Sequence, residues 1–145
     1  MRTNPPPPDR RLIYLLNVAQ RRVQRSTQRR GATPAQSGLL FVLGKQDGLS
    51  MGEVGVALDL GLPGISGLAE RMAEAGLIDK RADPADGRAS RLWLTSAGRK
   101  ALAQARANAA YLNSRLMDGF TEAEIDIVAR WLKAVQAKFP KGDDE

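Results

Sequence analysis

The 145-residue chain contains no cysteine and no histidine. The first absence excludes disulfide frameworks, thiolate nucleophiles and thiol redox sensing. The second excludes imidazole acid-base catalysis, and together they exclude the usual nitrogen and sulfur zinc sites. No pair of carboxylates stands in a recognisable catalytic setting, so no catalytic residue, metal ligand or cofactor is assigned and no enzyme is expected. Aromatic residues are scarce at 5%. The opening segment also lacks a long apolar run: Leu12 to Leu16 is a stretch of five, too short for a signal-peptide core or a membrane span. A cytoplasmic protein with no membrane partner is therefore expected. What is present is 43% apolar residues, enough to pack one ordinary domain.

Acidic residues are almost missing from one region. Residues 1–30 carry eight arginines against one aspartate, +7, whereas residues 31–61 sum to −2, residues 62–106 to +3 and the remainder to −2. Clustering of this kind suits a polyanionic partner; a solvated basic surface is the other reading.

Four consecutive prolines, Pro5 to Pro8, hold an extended arm over residues 1–8 that cannot enter a helix. It reads as a loose leader ahead of Asp9 as a helix cap, or as a ligand for a proline-binding module. Over residues 9–31 the positions Leu12, Leu16, Ala19 and Val23 form one helical stripe to be buried along one side, with Arg21, Arg22, Arg25 and Arg29 opposite. Those arginines read as a solvated flank or a distant attractor rather than as a direct contact. Thr33-Pro34-Ala35-Gln36 and Ser50-Met51-Gly52-Glu53 are capping boxes that open two short helices, with Leu39, Leu40 and Leu43 inward in the first and Met51, Val54 and Leu58 in the second. Gly61, Pro63 and Gly64 interrupt the second. A third helix then buries Ile65, Leu68, Ala69 and Met72 and stops at Gly76, a residue suited to a left-handed helix end.

After Gly76 the apolar period changes from helical to alternating, and LIDKR and SRLWLT read as two strands of a β-hairpin. Thr95 caps a helix whose Leu102, Ala105, Ala109, Leu112 and Leu116 form a heptad-like seam. Thr121-Glu122-Ala123-Glu124 opens a last helix with Ile125, Val128, Leu132, Val135 and Phe139 at the same spacing. Those seams could close within one chain, but two long helices beside a small domain more often pair with a second copy. The expected fold is mainly α with a small β-hairpin: a winged helix-turn-helix at residues 32–96, flanked by dimerisation helices at 9–31 and 97–139, with a tail at 140–145.

Three short helices followed by a hairpin place the third helix in a major groove and the hairpin on the neighbouring DNA backbone. Arg88 at the turn is then the candidate for minor-groove insertion, where the potential is most negative. On the third helix, Pro63, Gly64, Ser66, Gly67, Glu70 and Arg71 face outward. Few of these can hydrogen-bond a base edge, so specificity leans on phosphate contacts and DNA shape. Arg71 has two readings, a pairing with a wing aspartate and a base contact. Arg91 reads equally as a contact or as plain surface, and Trp93 and Trp131 read as packing residues, with the lining of a small-molecule cavity as the other reading.

The run Gly76-Leu77-Ile78, then Asp83-Pro84-Ala85-Asp86-Gly87-Arg88, then Leu92-Trp93-Leu94-Thr95-Ser96-Ala97-Gly98-Arg99 resembles the MarR family of bacterial transcriptional regulators, a likeness extending over residues 10 to 139. In that family's pattern a glycine-leucine ends the recognition helix, a D-x-R forms the wing and an L-T-x-x-G leads into the dimerisation helix. The resemblance implies a homodimer on a pseudo-palindromic double-stranded DNA operator, and repression relieved by a small aromatic or phenolic effector. It makes Thr33, Pro63, Gly64, Ser66, Gly67, Arg71, Arg88 and Arg91 the DNA-binding set and Asp86 the residue that orients the wing. Leu12, Leu16, Leu112, Leu116, Leu132 and Val135 are the dimerisation residues. The weak polar content of Leu62 to Gly67 departs from many relatives and leaves a second reading, a winged-helix module that binds an acidic protein partner.

Overall fold

The structure, a computed structural model, describes residues 8–140. All of the proline arm except Pro8, and all of the tail except Pro140, lie outside the described residues. In chain order the elements are α1 (Leu12–Gln28), α2 (Pro34–Lys45), β1 (Leu49–Ser50), α3 (Met51–Leu58), α4 (Leu62–Glu74), β2 (Ile78–Ala82), β3 (Ser90–Leu94), α5 (Ser96–Met117) and α6 (Glu122–Lys138). They divide into two compact units. One ends at Pro34 and holds α1; the other begins at Ala35 and holds the remaining elements.

Helix starts are set by side chains that satisfy the amide groups left over in a first turn. Ser50 Oγ accepts from Glu53 N at 3.2 Å while Ser50 N donates to Glu53 Oε2 at 2.7 Å, and α3 begins there. Thr121 and Glu124 repeat the reciprocal pair at α6. Asp9 differs from its expected role: its carboxylate accepts from the backbone and guanidinium of Arg11, and α1 starts at Leu12 with no side-chain cap. The break between α3 and α4 also differs. Asp59, not one of the glycines, ends α3 in the left-handed conformation (φ 55°), Gly61 is the N-cap of α4, and Pro63 and Gly64 lie in the first turn of α4, as their place on the third helix requires. Proline costs nothing in a first turn because its missing N–H would have had no partner.

The sheet has three strands where the sequence suggested a two-stranded hairpin. β3 is central, antiparallel to β2 (Ile78 opposite Leu94, Lys80 opposite Leu92) and to the two-residue β1 (Leu49 opposite Leu92). A two-residue strand is too short to show alternation, so no pattern announced β1. Leu92 and Leu94 point into a core made with Leu39, Leu40 and Leu43 of α2, Val54 of α3, Ile65, Leu68, Ala69 and Met72 of α4, Ile78 of β2, and Leu102 and Ala105 of α5. Each large aliphatic side chain buried there contributes about 1.5–3 kcal/mol. No polar side chain is buried among the described residues.

Much of each apolar seam stays exposed among the described residues. No residue of α1 or α6 is buried, and α5 is buried only at Gly98, Leu102 and Ala105. The stripe expected to bury one side of α1 is therefore exposed, as are Leu116 of α5 and Val128 and Leu132 of α6. Among the described residues no helix is long and apolar enough to cross a membrane.

Candidate nucleic-acid interface

Two surfaces meet at the turn that follows α4. Ala75 closes the helix, Gly76 takes φ +76°, and Leu77 N donates to Met72 O at 3.0 Å, so the chain passes directly into β2. One surface is the outward face of α4, where Leu62, Pro63 and Gly64 are exposed and Ser66 and Gly67 half-buried. Arg71 is exposed and has no carboxylate within ion-pair distance among the described residues, which sets aside its pairing with a wing aspartate. Its Nη1 instead lies over Gly67, 3.2 Å from where a β-carbon would stand. A guanidinium laid along the helix surface is free to extend toward a ligand.

The other surface is the loop between β2 and β3. Asp83 Oδ1 accepts from Ala85 N at 2.9 Å, Asp86 Oδ1 accepts from Arg88 N at 3.1 Å, and Asp83 N donates to Ala89 O at 2.9 Å. Aspartates bonding the amide two residues on are a compact way to fix a turn. Asp86 thus holds the backbone of Arg88, whose side chain is exposed and has no partner among the described residues. The result is a cation on a fixed stem.

Arg91 lies lower on the hairpin and is engaged. Its Nε donates to Asp83 Oδ2 at 2.8 Å, its Nη1 donates to Gly48 O at 2.7 Å, and Glu53 Oε2 is 4.0 Å away. This guanidinium joins the wing, β1 and the start of α3. It stands directly across from Arg81 in the register, a like-charge pairing that costs stability unless each charge finds other company. Arg81 does so by bonding Asp79 and lying over the Trp93 ring at 5.2 Å. Trp93 itself packs on Gly48, where an added β-carbon would fall 2.7 Å from the indole. Asp47 adds a further tie: it accepts from Leu94 N at 2.8 Å and from Arg99 Nη2 at 2.7 Å.

Asp47 was not named in the sequence, Glu53 entered it only as part of a capping box and Asp83 only as part of the wing run; their ties to Arg91, Leu94 and Arg99 were not foreseen. Asp83 shared a run with Asp86, and nothing in the order of residues tells which of two carboxylates meets a cation across a sheet. Asp47 did carry a signal, an aspartate before glycine at a helix end. Thr33, the remaining DNA-binding candidate, is exposed in the unit that ends at Pro34, ahead of α2.

The same bonds govern acid sensitivity. Donation from the Ala85 amide, then from Arg91, holds the Asp83 carboxyl below its ordinary 3.8. Donation from the Ser50 amide and hydroxyl holds Glu53 below 4.5, and Thr121 does the same for Glu124. A group whose folded value is depressed stabilises the fold above its unfolded value, and that contribution disappears as pH falls through the folded one. The urea midpoint is therefore expected to fall between pH 5 and pH 3. In a Glu53→Gln/Asp83→Asn/Glu124→Gln chain it should fall less; an equal fall in both would remove these carboxylates as the cause.

Residues 30–89 match the sequence model of the MarR family. A protein of Thauera aromatica described as a transcriptional regulatory protein for the hcr operon is 35% identical over 78 residues, 54% of this chain and 47% of that protein. The chain thus spans about half the length of the curated relative it matches. Among solved structures, the transcriptional repressor CouR bound to a 23-mer DNA duplex is similar with a TM-score of 0.77 and 27% identity, over 86% of this chain and 91% of that one. BpsR of Bordetella bronchiseptica, whose DNA binding is regulated by 6-hydroxynicotinic acid, gives a TM-score of 0.77 and 25% identity over 86% and 98%.

Proposed function

We propose that the chain is a transcriptional regulator of the MarR type, the family whose model residues 30–89 match, that binds a duplex operator as a homodimer and represses by occupying a promoter. The observation that carries the reading is the unpartnered Arg88 at the tip of a loop whose backbone Asp86 fixes. A cation kept exposed on a rigid projection costs nothing in the core and is ready for phosphate or a narrow minor groove. The outward residues of α4 supply the second contact, and the DNA-bound CouR complex supports the use of this architecture on a duplex.

Dimerisation follows from the exposed seams. Leu12 and Leu16 on α1, Leu112 and Leu116 on α5, and Leu132 and Val135 on α6 lie on helices that are largely exposed among the described residues. A two-fold partner would bury them and set two wings on one duplex. BpsR, whose DNA binding is regulated by 6-hydroxynicotinic acid, supports a small aromatic acid as the effector.

The test is a footprint of the protein on the DNA upstream of its own coding sequence. Two protected segments about 10 base pairs apart, centre to centre, are expected, with protection lost when 6-hydroxynicotinate or benzoate is added. One protected segment would remove the dimer, and protection indifferent to both acids would set aside aromatic acids as effectors. No protection, together with binding to an acidic peptide, would favour the protein-interaction module instead.

A further inference from the structure

The positive charge of this protein is not where the winged helix is. Residues 31–145 carry 14 basic and 15 acidic residues, −1, while residues 1–30 sum to +7. Part of the winged helix's own cationic complement is also neutralised, Arg91 by Asp83 and Arg81 by Asp79. A duplex presents about one negative charge per 1.7 Å of axis, and salt-dependent affinity scales with the phosphates a protein neutralises. The winged helix alone leaves that role largely unfilled.

The second half of α1 fills it. Arg21, Arg22, Arg25 and Arg29 are exposed, and none has a carboxylate within ion-pair distance among the described residues. At 3.6 residues per turn they fall within a sector of about 100° and extend about 12 Å along the helix. All four are arginine, whose planar fork matches phosphate oxygens in pairs. Opposite them lie Ala19 and Val23, so the charged sector is clear of the apolar stripe.

We infer that the arginine face of α1 is a second duplex-DNA surface, one that grips phosphates without reading sequence and supplies most of the counterion release on binding. The inference rests on the proposed DNA-binding function and adds to it a contact outside the wing and α4. A membrane surface is the other occupant an arginine-rich amphipathic helix could suit. The helix suits it less well, because a helix lying in a membrane interface presents a large apolar face beside its basic one, and beside the arginines α1 offers only Ala19 and Val23. Here the apolar bulk, Leu12 to Leu16, sits in the first half of α1 and the arginines in the second.

The experiment is fluorescence anisotropy with the full chain, a labelled duplex from its own upstream DNA and a scrambled duplex, across a series of KCl concentrations. Replacing Arg21, Arg22, Arg25 and Arg29 together with glutamine is expected to flatten the log affinity against log salt slope by about 3 to 4 units per subunit, at about 0.9 per phosphate released. Both duplexes should weaken by the same factor, and the fourfold Arg→Lys chain should recover the slope. A control with Arg115, Arg130, Lys133 and Lys138 changed to glutamine should shift the slope by less than about one unit on the same scale. Single Arg→Gln chains, each expected to lose about 0.9, serve if the fourfold chain loses helix by circular dichroism.

An unchanged slope, or equal flattening in the control, overturns the inference. So does loss of binding to phosphatidylserine vesicles with the DNA slope intact. If the natural chain binds neither duplex, the proposed function itself falls and the inference with it. If the natural chain binds its upstream duplex and the fourfold glutamine chain keeps the slope, the inference alone falls.

Discussion

Changing Gly98 to alanine is expected to lower folding stability by about 2 kcal/mol or more, read as a shifted urea midpoint with an unchanged slope. Gly98 lies in the first turn of α5, and a β-carbon there would run into the carbonyl oxygen of Leu77 and press on Leu94. Two effects compete. Alanine gains about 1 kcal/mol over glycine in a helix, but overlap with backbone that cannot rotate away costs about 3 kcal/mol. The Leu77 carbonyl also accepts from Thr95 N at 3.1 Å, so moving it weakens a hydrogen bond worth about 1 kcal/mol. Gly52→Ala is the comparison: its added methyl would meet only Ser50 Oγ, at 4.0 Å, and no comparable loss is expected. If both substitutions had the same effect, the close approach of α5 to the start of β2 would be wrong.

This collision also explains the L-T-x-x-G run physically. Leu94 enters the core; Thr95 Oγ1 donates to Gly76 O at 2.6 Å and accepts from Gly98 N at 3.0 Å; Gly98 lets the helix sit against Leu77. Five residues thus fasten α5 to the turn that ends α4. The run could be read in the sequence as a family pattern and as a cap, but the reason for its glycine needed the neighbouring strand.

What was legible had local causes. The capping boxes at Ser50 and Thr121, the cap at Thr95 and the left-handed Gly76 depend on residues three or four apart, and the inward positions of α2, α3 and α4 follow from helical period. What was not legible depends on partners distant in sequence. Arg91 reaches Gly48 across 43 positions and Asp47 reaches Leu94 across 47, distances over which no spacing rule operates. Asp59 is a separate failure: a non-glycine residue in the left-handed region is a choice imposed by packing, and Gly61 two positions on looked the more natural break.

Arg88 and Arg91 differ only by three positions in the sequence, yet the structure gives them opposite circumstances. Arg91 is bonded on two sides within the hairpin stem, whereas Arg88 is exposed and touches no partner among the described residues. Removing Arg88 should therefore leave the melting temperature unchanged and act only on binding. A good guanidinium contact to DNA is worth about 1–3 kcal/mol, so each wing should lose about ten- to a hundredfold in affinity. The decisive measurement is anisotropy of the labelled upstream duplex with the natural chain and with Arg88→Ala, at one salt concentration and with the melting temperature of each recorded. The account predicts at least a tenfold loss of affinity in a chain that melts at the same temperature; equal affinity in the two equally stable chains would contradict it.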